Sequence, residues 1–277
     1  MIIRMMIGRK SSKSLLKGGW LRITFILDPG VNAWARENLC LPSITSTVLD
    51  LHVPRLRFSR VLFSVSIVLL ASLTTHAQTK ITIDHNNGAA INPEFRFKSV
   101  PSPSRSDSAT NARVMIVDGE ADPNSAGVAA LTDGLLPNSD DQPRRNFFVT
   151  AGSGGARLLM DLGRVTDIAQ INSYSWHPGS RAPQLYRVWA SDGSDPKFNV
   201  RPKANIDPRS CGWKMIATVD TRSNDESKDV GQFGVSVTDA SGTLGKFRYL
   251  LFDCYVTEVA DDFGNTFYSE IDVVVKK

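Results

Sequence analysis

Phe247-Arg248-Tyr249-Leu250-Leu251-Phe252-Asp253-Cys254-Tyr255-Val256 is apolar at both odd and even positions. A strand sends successive side chains to opposite faces, so this run predicts a central strand covered on both sides. Farther along, 267–275 alternates: Phe267, Ile271, Val273 and Val275 share one face, with Tyr268, Glu270 and Asp272 on the other. Upstream, short runs of β-branched, aromatic and aliphatic residues are punctuated by Gly, Asp, Asn and Pro. They predict strands near 114–117, 157–162, 168–174, 185–191, 213–219 and 233–237. No long window carries a helical stripe. About eight strands at this spacing predict an all-β, two-sheet jelly-roll sandwich, because an open sheet leaves edges and one face unsatisfied.

The chain has 277 residues, 42% of them hydrophobic and 22% charged, which excludes a collagen, a wholly disordered chain and a multi-span membrane protein. Its formal charge of +4 is unevenly placed. Residues 1–77 carry ten basic and three acidic side chains, and the remainder carries 22 basic and 25 acidic. A mildly acidic body has no electrostatic reason to hold phosphate backbones, so no nucleic-acid partner is expected.

The basic N-terminal excess has the layout of a secretory signal at 55–77. Arg55, Arg57 and Arg60 form the n-region, 61–73 is an apolar run, and Thr75-His76-Ala77 ends in a small residue. The apolar run is shorter than the roughly 20 residues a bilayer span needs, so no membrane span is expected in the mature chain. Residues 1–54 show no sustained period. They read as an unstructured leader upstream of the true start, the alternative being a long signal-anchor leader. Residues 78–111 read as an extended lead-in, because a short alternating run (ITID) gives way to Asn86-Asn87-Gly88 and a Ser/Pro stretch. The sandwich domain is then expected at 112–277, secreted or held in the periplasm or cell envelope. Export leaves Cys211 and Cys254, which either bridge or pack as buried thiols.

Nothing in the expected mature chain demands an active site. It holds only His85 and His177, too few for a histidine-rich metal centre. Ala151-Gly152-Ser153-Gly154-Gly155 lacks the first glycine of a nucleophile elbow and reads as a flexible loop. Asp140-Asp141 and Asp261-Asp262 are adjacent acids in turn-rich segments, which read as solvated rather than catalytic.

Several motifs recur in a telling order. They are Leu131-Thr132-Asp133-Gly134, Leu158-Leu159-Met160-Asp161-Leu162-Gly163, Tyr186-Arg187-Val188-Trp189-Ala190-Ser191-Asp192-Gly193, Trp213, Phe247-Arg248-Tyr249-Leu250 and Tyr268-Ser269-Glu270-Ile271-Asp272-Val273. In this order they resemble the discoidin, or coagulation factor 5/8 type C, family over about 112–277. The resemblance implies an eight-stranded, galactose-binding-like jelly roll, many bacterial examples being carbohydrate-binding modules. It departs at Leu135-Leu136-Pro137, which stands between the Asp-Gly turn and Phe147, and at an insertion over 197–208. The resemblance also implies a structural Ca²⁺ held by Asp133 and Glu270, with Asn138 as a third oxygen. Calcium takes six to eight oxygens, many of them turn carbonyls. The alternative is that Asp133 only forms a turn and Glu270 is solvated.

The segment Tyr174-Ser175-Trp176-His177-Pro178-Gly179-Ser180-Arg181-Ala182-Pro183-Gln184 gathers an aromatic plane, an imidazole, a guanidinium and an amide. A sugar needs an aromatic platform for its C–H face and planar donors and acceptors for its hydroxyls. Trp176 suits the first role, and His177, Arg181 and Gln184 the second. By the resemblance, Phe263 and Asn265 fall where an aromatic and an amide partner would complete the site. The alternative is that Trp176 and Tyr174 plug one end of the sandwich. The leading expectation is therefore an exported, non-catalytic module that binds carbohydrate. The second is a structural or protein-interaction domain of the cell envelope, and a glycan hydrolase is a distant third.

Overall fold

The structure, a computed structural model, describes residues 79–110, 112–225, 228–258 and 264–277. The expected leader and signal (1–77) lie outside the described residues. The described chain forms β1 (Thr79–Asn86), β2 (Arg113–Asp118), β3 (Gly155–His177), β4 (Leu185–Ser191), β5 (Lys214–Asp220), β6 (Gly231–Asp239), β7 (Gly245–Tyr255) and β8 (Tyr268–Val275). All pairings are antiparallel, giving the expected eight-stranded all-β sandwich. Among the described residues no helix is long and apolar enough to cross a membrane.

The long β3 joins the two layers. Its first half pairs with β2 and β7, and its second half with β6 and β8. The register shifts between Asp161 and Thr166, where Gly163 takes φ 78° and is exposed with Arg164 and Val165. Separate strands were expected on either side of this point. The chain instead rounds a corner within one strand, because a bulge with a left-handed glycine absorbs the bend. One layer is then β2-β3-β7-β4-β5 and the other β1-β6-β3-β8.

As its sequence requires, β7 lies inside the first layer, between β3 and β4. Leu250, Phe252 and Cys254 enter the main core with Ile171, Val188, Val235, Ile271 and Val273. On the opposite face Leu251 packs with Leu159, Trp189, Cys211 and Trp213. The insertion covers that second cluster through Phe198, Val200 and Ile206. Arg157 pins the insertion by donating to the carbonyls of Pro202, Lys203 and Ile206 while it pairs with Asp253 at 2.5 Å. Cys211 and Cys254 therefore sit in separate clusters, both buried and both free. The disulfide is absent.

The lead-in differs from expectation. Thr79–Asn86 is a full strand, in register with β6 from Thr79↔Asp239 to Asn86↔Gln232, so the sandwich begins well before residue 112. Residues 91–108 then run over the outer face of the second layer. Phe95 and Val100 pack there on Tyr174 and Trp176, and Tyr174 Oη donates to Pro101 O at 2.8 Å. Farther on, Ser104 N–H donates to Asp272 and Ser108 N–H to Val273 O. Consequently Glu270 and Asp272, on the polar face of β8, are each only 1% exposed. A register shift opposite Tyr174 and Ser175 also brings Tyr268 into the main core beside Ile271, against the simple alternation.

Candidate functional site

Three of the expected ligand contacts, Trp176, Gln184 and Asn265, are interior. Trp176 is the penultimate residue of β3 and is 4% exposed, with the Phe95 ring edge-on to it at 5.7 Å. Phe95 takes φ 49°, a conformation that costs a bulky residue about 1–3 kcal/mol and is offset here by complete burial. With the lead-in seated on it, the indole offers no face to a ligand. Gln184 is also fully buried. Its Nε2 donates to Ser173 O, Ser175 Oγ and Phe233 O, and its Oε1 accepts from Ser173 Oγ. That amide braces β3 against β6 and has no group left for a sugar.

His177 and Arg181 do come together, over aromatic rings that the sequence reading did not assign to the site. Phe148 and Phe267 stack with centroids 4.1 Å apart. The Arg181 guanidinium lies 4.1 Å from the Phe267 centroid and 4.8 Å from that of Phe148. Its Nε donates to Asn265 O at 3.2 Å, and Arg181 O accepts from Phe267 N–H. The guanidinium plane is thus fixed before any ligand arrives. The His177 ring meets the edge of Phe267 at 4.6 Å. His177 Nδ1 accepts from Gly179 N–H at 3.0 Å, which leaves the proton of the neutral ring on Nε2. Burial, followed by the nearby Arg181 charge, holds the imidazole below its ordinary pKa and so neutral at pH 7.

Acceptors border this pair. Asp141 Oδ1 stands 4.0 Å from His177 Nε2 and its side chain is 63% exposed. Glu258 accepts from Ser180 Oγ, and Thr257 Oγ1 donates to Ser180 O. Asn265 is 2% exposed and gives the site its backbone carbonyl, while its Nδ2 faces Thr150 O. Phe263 lies outside the described residues. Periodicity did not mark Asp141 or Phe148, which lie in the irregular connection between β2 and β3, and it placed Phe267 only on the face of the last strand.

For the metal, the last strand does meet the Asp-Gly turn: Gly134 N–H donates to Glu270 Oε2 at 2.9 Å. Glu270 is therefore not solvated. Burial, then the charges of Asp272, Asp133 and Asp107, push its carboxyl up to about 9. Asp272, buried and near Asp107, is pushed up to about 7, and among the described residues its Oδ1 has no hydrogen-bond partner. Among the described residues Glu270 is a buried carboxylate with no cation beside it, whereas Asp133 is exposed and its Oδ1 accepts from Leu135 N–H at 2.8 Å within the turn; both carry the oxygen donors a hard divalent ion takes. Asn138 does not join them, because its Oδ1 accepts from Gln142 Nε2 at 2.7 Å. Among the described residues no three His, Cys, Asp or Glu side chains gather as a ready metal cage, so further oxygens would have to be carbonyls.

No family model matches the chain, and no curated protein matches it. Similar solved structures include CpGH89CBM32-6, produced by Clostridium perfringens, at 14% identity and TM-score 0.37, covering 62% of this chain and 100% of that one. The lectin domain of lectinolysin complexed with Lewis B antigen matches at 11% identity and TM-score 0.40, covering 63% of this chain and 100% of that domain. A Streptococcus pneumoniae fucose-binding module matches at 12% identity and TM-score 0.38, covering 62% of this chain and 99% of the module. Likenesses this distant carry no argument about a ligand. The fold rests on the strand pairing described above.

Proposed function

We propose that this protein is an exported, non-catalytic module of discoidin-like architecture that binds a carbohydrate at the His177–Arg181 loop end. The observation that carries the reading is the Arg181 guanidinium, clamped on Phe148 and Phe267 beside a neutral His177 and the exposed Asp141 carboxylate. Neighbouring sugar hydroxyls ask for fixed donors next to an acceptor, and guanidinium, Nε2–H and carboxylate provide that pattern. Clamping keeps the ordering cost of binding low. In this reading Asp133 and Glu270 hold a structural Ca²⁺ that ties the 133–138 turn to β8 and neutralises the buried acids. The ion would organise the loop and take no part in chemistry.

The test is a glycan array followed by titration calorimetry on the parent, Arg181→Lys and His177→Ala. Lysine keeps the charge but loses the planar fork, so Arg181→Lys should weaken glycan binding by about 1.5–3 kcal/mol with the fold intact. Retained affinity in both folded variants would remove this loop as the site. The burial of Trp176 and Gln184 favours a second reading, an envelope domain that contacts a protein through the same surface. Capture of an envelope protein, with no glycan bound on the array, would support that reading.

A further inference from the structure

We infer that a second site, a groove between the lead-in and the 134–145 loop, binds an acidic saccharide, one bearing uronate or sulfate groups. The groove has a volume of about 600 Å³ and is lined by Arg96, Arg105, Arg145, Leu135 and Pro103 among others. Its walls come from segments far apart in sequence. Gly134, at φ 67°, lets Arg105 lie directly over the Asp-Gly turn, where a Cβ would stand 3.2 Å from the Arg105 Cα. The seat of Arg105 is therefore built by the fold.

Arg96 pairs with Glu94 at 2.6 Å on the same rim. Arg105 and Arg145 are exposed, and among the described residues neither guanidinium has a hydrogen-bond or ion-pair partner. Three guanidinium groups against the Glu94 carboxylate make this wall positive, on a body where acids outnumber bases by 25 to 22. A planar fork matches a carboxylate or sulfate through paired N–H donors. Between the charges the lining is aliphatic: Leu135 is 51% exposed, beside Pro103 and Pro137. That surface suits the C–H face of a sugar ring. Among the described residues no aromatic lines the groove, so nucleobases have nothing to stack on there. The demand for an anion stands on this geometry alone. The choice of a saccharide over an acidic peptide rests on the proposed function.

The experiment is titration of the full chain with alginate oligosaccharides, dextran sulfate fragments, neutral dextran and poly-glutamate, at low salt and at 0.3 M salt. Alginate or dextran sulfate should bind and weaken with salt, and neutral dextran should not bind. The double variant Arg105→Ala/Arg145→Ala should weaken binding at least tenfold with an unchanged melting temperature. The same double variant should leave binding of the array-selected glycan at the loop end unaffected, which separates the two sites. The inference is overturned if neither acidic saccharide binds, if poly-glutamate binds more tightly than both, or if the double variant binds as the parent does. An equal loss in Lys197→Ala/Arg201→Ala, on the distant insertion, would also overturn it by showing adsorption by charge alone.

Discussion

Truncating Trp176 separates a residue of the interior from a ligand platform. The indole is 4% exposed and packs with Phe95, Val100 and Tyr174, so Trp176→Ala removes nearly all of its buried surface. An aromatic side chain buries roughly 150–250 Å², which at about 25 cal/mol per Å² corresponds to about 4–6 kcal/mol as an upper estimate. Measured aromatic-to-alanine losses of about 3–5 kcal/mol agree with that scale. For a domain of this size each kcal/mol moves the melting temperature by about 2–4 °C, so the expected drop is roughly 6–20 °C. Among the described residues the indole Nε1 has no hydrogen-bond partner, so Trp176→Phe gives up volume but no bond. It should cost less than half as much as the alanine variant. Urea and thermal unfolding followed by circular dichroism measure both variants, with glycan affinity determined on the folded fraction. A Trp176→Ala protein that melts within about 2 °C of the parent yet loses glycan binding would refute the placement of this side chain in the interior.

Asp253→Ala leaves Arg157 buried without its carboxylate and strips Trp189 Nε1 of its acceptor, so chemical denaturation should show a loss of about 3–5 kcal/mol. The imidazole of His177, facing Arg181 on one side and Asp140 and Asp141 on the other, resists a proton that the unfolded chain takes up near pH 6.5. Its contribution to stability is complete above that pH and is lost as pH falls through the window beneath it, and His177→Gln should flatten this part of the stability profile. With Ca²⁺ at Asp133 and Glu270, adding calcium to chelator-treated protein should raise the melting temperature, and Glu270→Gln should abolish the rise. An identical melting curve with and without calcium would remove the ion from the proposed function.

Local pattern was enough for the all-β class and for β2, β4, β5, β6, β7 and β8, while β1 read only as part of a lead-in. Leu185–Ser191 reads off the sequence because a run of aliphatic and aromatic residues lies between Pro183 and the Asp192-Gly193 turn, and the doubly apolar run around Leu250 and Leu251 announces a strand with a layer on each side. The approach of Glu270 to the Asp133-Gly134 turn was likewise legible, through the resemblance of two motifs 136 positions apart. The corner in β3 was not, since a glycine between two strand-like runs marks a break or a bulge equally well until hydrogen-bond register is known. The fate of Trp176 was decided by Phe95, and the clamp on Arg181 by Phe148 and Phe267, each from another segment. Side-chain periodicity records which residues share a face, but exposure depends on what the rest of the chain lays over that face. Here a proline-rich lead-in, polar enough to read as solvated, covers the second layer and turns an expected platform into core.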